Sequence, residues 1–189
     1  MENALRVTTV APTRRGCGLP VDRLSYWSTQ AWPKPLAEVR QLDLVSTEPI
    51  QLLDVTDQVS TFSREFGRWH GIVSIFSRHT TAAVRIQEDE PLLLEDLRSF
   101  LTRLAPPDAP YAHNDFGVRT EHMHPDERPN GHSHCLHLLL GASASVPVVD
   151  GVPQLGTWQR IFLVELDGPR ADRQVQLHLT GVQGGGRLR

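Results

Sequence analysis

Between Val39 and Leu179 the apolar residues switch repeatedly between period-two and helical spacing, and the switches mark out the elements. Val39, Leu42 and Leu44, then Ile50, Leu52 and Leu53, read as two short strands joined into an opening hairpin by the polar turn Ser46-Thr47-Glu48-Pro49. From Asp54 to Gly67 the spacing turns helical, with Val55, Val59, Phe62 and Phe66 on one side, Thr56 or Asp57 as N-cap and Gly67 as terminator. Gly71 to Ser77 reads as a buried strand, and Ala82 to Gln87 as a second one that packs one face and turns the other to solvent or a ligand. Asp89-Glu90-Pro91 opens the clearest helix, since acidic residues and proline both suit a first turn, and Pro106-Pro107 stops it.

Asn114 to Gly131 is polar and without period, which predicts a long loop of the kind that commonly carries function. A short helix through His134 to Leu140 ends at Gly141, and Asp150-Gly151 between Val146-Pro-Val-Val and Val152-Pro-Gln-Leu is a strong hairpin signal. Trp158 to Leu166 and Arg173 to Leu179 supply two further strands. Together these predict an α+β domain of about eight strands and three helices, with antiparallel sheets. The domain is placed at residues 37–183, after an aperiodic proline- and glycine-rich extension over 1–36 and before a short tail over 184–189. Arg14-Arg15 lacks the apolar run that an export signal requires.

Composition narrows the function classes. The 189 residues carry 22 acidic and 19 basic side chains, a formal charge of −3, so no basic surface for nucleic acid is expected. No apolar run approaches the roughly 20 residues that span a bilayer, which argues against a membrane partner. The only cysteines, Cys17 and Cys135, match no CxxC spacing and are too few for a disulfide framework, which points to the cytoplasm.

Nine histidines are present, and His113, His122, His124, His132, His134 and His137 crowd one segment. Imidazole is the commonest zinc ligand, and a catalytic zinc site usually draws three ligands from different elements. His79 at a strand junction, His113 after the proline stop and His134 at a helix start stand where ligands usually sit; each also suits an ordinary surface role. His134 and His137 could share a helical face, while His122 and His124 read as loop residues. Glu88 and Asp115 lie near these histidines in sequence. Each could orient an imidazole, ligate a metal or act as general base, or else serve a helix start (Glu88) or an Asx turn (Asp115). The glycine bend Gly156-Thr157-Trp158-Gln159 could bring backbone close to a ligand, or be a turn beside a core tryptophan. No Walker loop and no GxGxxG is present.

Ser77-x-His79-Thr80-Thr81-Ala82-Ala83, Tyr111-x-His113-Asn114-Asp115, Asn130-Gly131-His132-Ser133-His134 and Leu155-Gly156-Thr157-Trp158-Gln159-Arg160-Ile161 together resemble the YjbQ family, also called secondary thiamine-phosphate synthase enzymes. The resemblance runs from about Val39 to Gly181. It implies a sandwich-like α+β subunit, with antiparallel or mixed β-sheets and two to three helices, forming a homotrimer, with a metal held by His79, His113 and His134. It further implies a weak ability to join a pyrimidine diphosphate to a thiazole phosphate, releasing pyrophosphate. Zinc suits three imidazoles, whereas magnesium, which prefers oxygen, would accompany a diphosphate substrate. On this reading Glu88 and Asp115 are the catalytic carboxylates, Thr80, Thr157, Trp158 and Gln159 bind substrate, and Arg85 and Arg119 are candidate phosphate contacts. A noncatalytic trimer in which a closed metal site only fixes geometry, or a small-molecule binding module, is the alternative. One difference from the family pattern is Leu136, where members often carry a lysine two residues after the helix histidine; another is the number of loop histidines.

Overall fold

The structure, a computed structural model, describes residues 33–184. Arg14, Arg15, Cys17 and most of the expected extension lie outside the described residues. Eight strands and three α-helices follow in the order β1 (Pro35–Ser46), β2 (Gln51–Asp54), α1 (Thr56–Arg64), β3 (Trp69–Ser77), β4 (Ala82–Gln87), α2 (Pro91–Leu104), α3 (Gly131–Leu140), β5 (Ser143–Val149), β6 (Val152–Pro153), β7 (Arg160–Glu165) and β8 (Arg170–Gln183). A short 3-10 turn, Ala112–Asn114, precedes the loop that leads to α3. No described helix is long and apolar enough to cross a membrane.

Two antiparallel sheets form, one ordered β1-β8-β3-β5-β6 and the other β2-β7-β4. The expected hairpin of β1 and β2 is therefore corrected. β1 pairs along its length with β8, from Pro35 opposite Val182 to Ser46 opposite Arg170, while β2 pairs with β7 in the other sheet. The Ser46 to Pro49 turn carries the chain from one sheet to the next. Local turn residues mark where a strand ends, but not which strand completes its hydrogen bonds.

The strict alternation of β7 explains the layering, because successive side chains leave opposite faces of a strand. Ile161 and Leu163 face a core shared with Val73, Ile75, Leu177 and Leu179 of the large sheet, closed at one end by Val55, Val59 and Phe62. Phe162 and Val164 face the other way, onto Leu101 of α2 and Leu136 of α3. The result is three layers, sheet on sheet on helices. β4 is buried on both faces over Ala82, Ala83 and Val84, which have no exposed surface, while Arg85 and Ile86 are half-buried and Gln87 is exposed, so the face expected to reach solvent or a ligand opens only in the second half of the strand. Each buried Val, Leu or Phe contributes about 1.5–3 kcal/mol to holding the layers together.

Helix starts follow the local chemistry closely. Glu90 accepts the backbone N–H groups of Leu92 and Leu93 at 3.0 and 2.7 Å, with Pro91 at the first position of α2. At α1 the residue before the cap takes the role assigned to Thr56 or Asp57, since Asp54 accepts the Thr56 N–H at 2.8 Å. Asp150 and Gly151 both have positive φ, 51° and 78°, as a two-residue hairpin turn between β5 and β6 requires. β6 is limited to two residues and β7 starts at Arg160, leaving Trp158 in a turn and 71% exposed rather than in the core.

Candidate functional site

One edge of the sandwich carries an open cavity of about 510 Å³. Its walls come from three stretches distant in sequence, 78–81, 113–134 and 167–173. The β3–β4 connection supplies Arg78, His79, Thr80 and Thr81, and the 3-10 turn supplies His113. Arg119, His122 and Glu127 come from the following loop, Asn130 and His134 from the start of α3, and Asp167, Arg170 and Arg173 from the β7–β8 turn and β8.

Asn114 assembles much of this. Its side-chain oxygen accepts the backbone N–H groups of Asn130 and Gly131 at 3.0 and 2.8 Å, tying the 3-10 turn to the first turn of α3. Tyr111 packs against Gly131, where a Cβ would lie 2.6 Å from the tyrosine Cβ. This close approach sets the His113 and His134 rings edge to face, 4.6 Å between centroids. Burial, then His113, pushes the His134 pKa down.

Positive charge dominates the lining, with four arginines against two carboxylates. Arg119 pairs with Glu127, holding its carboxyl below the usual range, and Arg170 pairs with Asp167. Arg173 lies beneath the surface, 4% exposed, and donates to fully buried Glu165 through Nε at 2.5 Å and Nη2 at 2.6 Å, and through Nη2 to Thr81 Oγ1 at 3.0 Å. Arg78 differs. Among the described residues it has no carboxylate partner and is held only by the side-chain oxygens of Gln41 and Gln174, at 3.4 and 3.2 Å.

Of the site residues expected from sequence, His79, Thr80, His113, His134 and Arg119 line this cavity. Glu88 and Asp115 do not: Glu88 follows β4 on the approach to α2, and exposed Asp115 accepts the Gly117 N–H at 3.0 Å in a local turn. Thr157, Trp158 and Gln159 also lie outside this lining, in a turn where the Gln159 side chain accepts the Gly156 N–H at 2.8 Å. Arg85 instead lines a smaller apolar cavity of about 170 Å³ with Leu52, Leu97 and Phe100. Leu136 is fully buried in the helix-side core, so no phosphate contact arises there.

Among the remaining loop and helix histidines, His122 joins the lining while His124 accepts the Asp126 N–H at 3.4 Å. His132 bonds Ser133, leaving its Nδ1 without a partner, and His137 Nε2 is likewise buried and unpartnered. Glu127, Asp167, Arg78 and Arg173 were not singled out by sequence spacing. The loop's mixed charges around Arg119 are the one local signal that could have pointed to Glu127.

The three histidines expected to hold an ion do not present a ready set within one subunit. Among the described residues no three His, Cys, Asp or Glu side chains stand in ligating geometry. His79 Nε2 accepts the Gln174 backbone N–H at 2.7 Å, and His113 Nε2 faces Arg119 Nη1 at 3.1 Å. Two of the three lone pairs are thus turned to N–H donors. The donor set as arranged does not fit an ion shared by three imidazoles.

Residues 40–182 match the family described as UPF0047 protein YjbQ-like, and the chain belongs to that family. A UPF0047 protein of Methanothermobacter thermautotrophicus is 39% identical over 142 residues, covering 75% of this chain and 91% of the relative. The Bacillus subtilis UPF0047 protein YugU is 31% identical over 132 residues, covering 70% and 92%. A crystal structure from Sulfolobus solfataricus P2, titled a YbjQ-like protein of unknown function, superposes with a TM-score of 0.70 at 33% identity, covering 78% of this chain and 99% of that one.

Proposed function

We propose that this member of the YjbQ-like family uses the arginine-lined cavity to bind a small phosphorylated substrate and to act as a thiamine-phosphate synthase-like transferase. The observation that carries the reading is the lining itself: four arginines, of which Arg78 is without a carboxylate partner among the described residues, around a space large enough for a diphosphate ester. In the reaction a thiazole nitrogen forms a bond to the pyrimidine methylene carbon as the carbon–oxygen bond to the diphosphate breaks. The electron pair departs on pyrophosphate.

Charge builds on the leaving oxygens, and fixed guanidiniums stabilise it without reorganising. Planar guanidiniums suit phosphate oxygens through paired N–H donors. Arg78 is free to make that contact. Arg173 supplies field from below, oriented by Glu165 and Thr81. His113 and His134 form the wall beside Arg119, and Thr80 offers a hydroxyl at the rim.

A divalent ion belongs to this proposal only as a companion of substrate oxygens. A homotrimer is part of the same proposal, supported by Leu138, Leu139 and Phe100, which stand 82%, 64% and 52% exposed along the helices.

The test is synthesis of thiamine phosphate by protein purified from a host lacking its own synthase. Wild type is expected to form product, and Arg78→Gln and His113→Ala to lose most of the activity while keeping the circular dichroism of the folded chain. Equal trace activity in all three removes the catalytic reading, and retention of substrate without turnover makes the protein a binding module.

A further inference from the structure

The β3–β8 ladder does not stop where β3 ends. Arg78 N–H still donates to Gln174 O at 3.2 Å, one step beyond the pairing of Ser77 with Val175. The next residue then folds its ring back onto the same strand, and His79 Nε2 accepts the Gln174 backbone N–H at 2.7 Å. The His79 backbone N–H is itself turned to Ser77 Oγ at 3.4 Å. The imidazole is therefore built into the sheet edge as the partner of a strand amide.

That contact fixes the chemistry of the ring. A peptide N–H can only donate, so Nε2 must present its lone pair, and in a neutral imidazole the single proton then sits on Nδ1. Burial, followed by the neighbouring Arg173 guanidinium, lowers the pKa of this group and favours the neutral form. For an ion to take Nε2, the half-buried Gln174 amide would lose its partner. Nδ1, the other nitrogen, carries a proton where a metal would need a lone pair.

We infer that His79 serves the cavity as a neutral, fixed Nδ1–H donor to a phosphate oxygen, and is not a metal ligand. The inference rests on the reading that the cavity takes a phosphorylated ligand, and it deepens that reading by assigning one oxyanion contact. It also explains the neighbourhood. Arg78 precedes His79 in the chain, and Arg173, whose side chain reaches Thr81, precedes Gln174. Arg78 and Arg173 flank this strand-edge contact in the two strands, and both belong to the same cavity lining as His79. The donor adds no charge that a ligand-free cavity would have to screen.

The experiment uses the full chain, stripped of metal and labelled with nitrogen-15 in histidine, with inorganic pyrophosphate as the probe. Nuclear magnetic resonance is expected to report a protonated Nδ1 and an unprotonated Nε2 for His79, and the Nδ1–H signal should move on titration. Affinity is read alongside in two variants. His79→Asn keeps an N–H near the Nδ1 position and should bind within about threefold of wild type, whereas His79→Phe should bind about 10- to 100-fold more weakly. Zinc stoichiometry should be the same in wild type and both variants.

A proton on Nε2, or zinc bound by wild type and lost in both variants, overturns the inference. Binding of pyrophosphate that leaves the Nδ1–H signal unmoved overturns the role of His79 alone. No binding by wild type at all overturns the functional reading and this role with it, while the tautomer measured in the same sample still decides the ring's availability to metal.

Discussion

Replacing Glu165 by glutamine should unfold the protein far more readily than its conservative chemistry suggests. The carboxylate is fully buried and collects five donors: Arg173 Nε and Nη2 at 2.5 and 2.6 Å, Ser46 Oγ at 2.9 Å, and the backbone N–H groups of Leu166 and Asp167 at 3.0 and 2.8 Å. Burial alone would raise its pKa; the Arg173 hydrogen bonds and charge more than offset this, and the net shift is downward. In Glu165→Gln the amide oxygen can keep one Arg173 donor, but the N–H₂ that replaces the other oxygen faces a guanidinium N–H, donor against donor, and Arg173 is left as a buried charge with no carboxylate against it. Breaking a buried pair on one side costs about 3–5 kcal/mol, a large share of the roughly 5–15 kcal/mol that holds a domain folded. At about 2–4 °C per kcal/mol the melting midpoint should fall by roughly 6–20 °C.

Urea denaturation at pH 7 measures the loss, and its pH dependence gives a second reading. A carboxyl whose folded pKa is lowered stabilises above its unfolded value and loses that contribution as pH falls through the folded one. The gap between wild type and variant should therefore close in acid. The double variant Glu165→Leu with Arg173→Met, which removes both charges, should be less damaged than the single one. A loss under about 1 kcal/mol, or a double variant worse than the sum of the singles, would refute the claim that this pair anchors the cavity floor.

Three further outcomes follow from the same geometry. Glu127→Gln releases Arg119 from its carboxylate, so pyrophosphate should bind about 3- to 10-fold more tightly by calorimetry; weaker binding would mean that the pair holds the site open. His79, His132, His134 and His137 all have pKa values lowered by burial first of all, so they resist protonation in the fold. Metal-free protein should keep its stability above pH 6.5 and lose it as pH falls further, each histidine contributing at most about 1.4 kcal/mol per pH unit and less for solvent screening. Urea midpoints measured from pH 8 to 5 check this, and a flat profile contradicts it. Gly151→Ala should cost about 1–3 kcal/mol in the same assay, because its φ of 78° disfavours a side chain and a Cβ would lie 2.2 Å from the Gly67 carbonyl oxygen.

How much of this could be read from the chain depends on how local the governing interaction is. β7 is legible because Ile161, Phe162, Leu163 and Val164 are all buried, two facing each core, and the Asp150-Gly151 turn is legible because few other residues tolerate two positive φ values in succession. The start of α2 at Pro91 follows from Glu90 in the same way. Partner choice is not local. Nothing in Val39 to Leu44 says that β8, over 125 residues later, completes that strand's hydrogen bonds rather than β2. The pattern starts a strand at Trp158, whereas Gln159 folding back on Gly156 makes the segment a turn and the strand begins at Arg160.

The site divides along the same line. The family motifs hold His79, Thr80, His113 and His134, and Arg119 is a candidate phosphate contact outside them; all five line one cavity. Arg173 and Asp167 were missed because an arginine on a strand and an aspartate in a turn look ordinary until Glu165 and Asn130 place them. Glu88 and Asp115 were chosen for proximity in sequence, yet chain neighbours of a histidine commonly point elsewhere, as the Asp115 bond to Gly117 illustrates. The orientation of an imidazole lies furthest from the sequence: only the strand amide of Gln174 determines which nitrogen of His79 carries the proton.

Isothermal titration of the purified full chain with inorganic pyrophosphate, in parallel with Arg78→Gln and the surface control Arg68→Gln, decides whether the cavity is an anion site. One pyrophosphate per chain, weakened about tenfold by Arg78→Gln and unchanged by Arg68→Gln, is the expected result. No binding, or equal affinity in all three proteins, would contradict it.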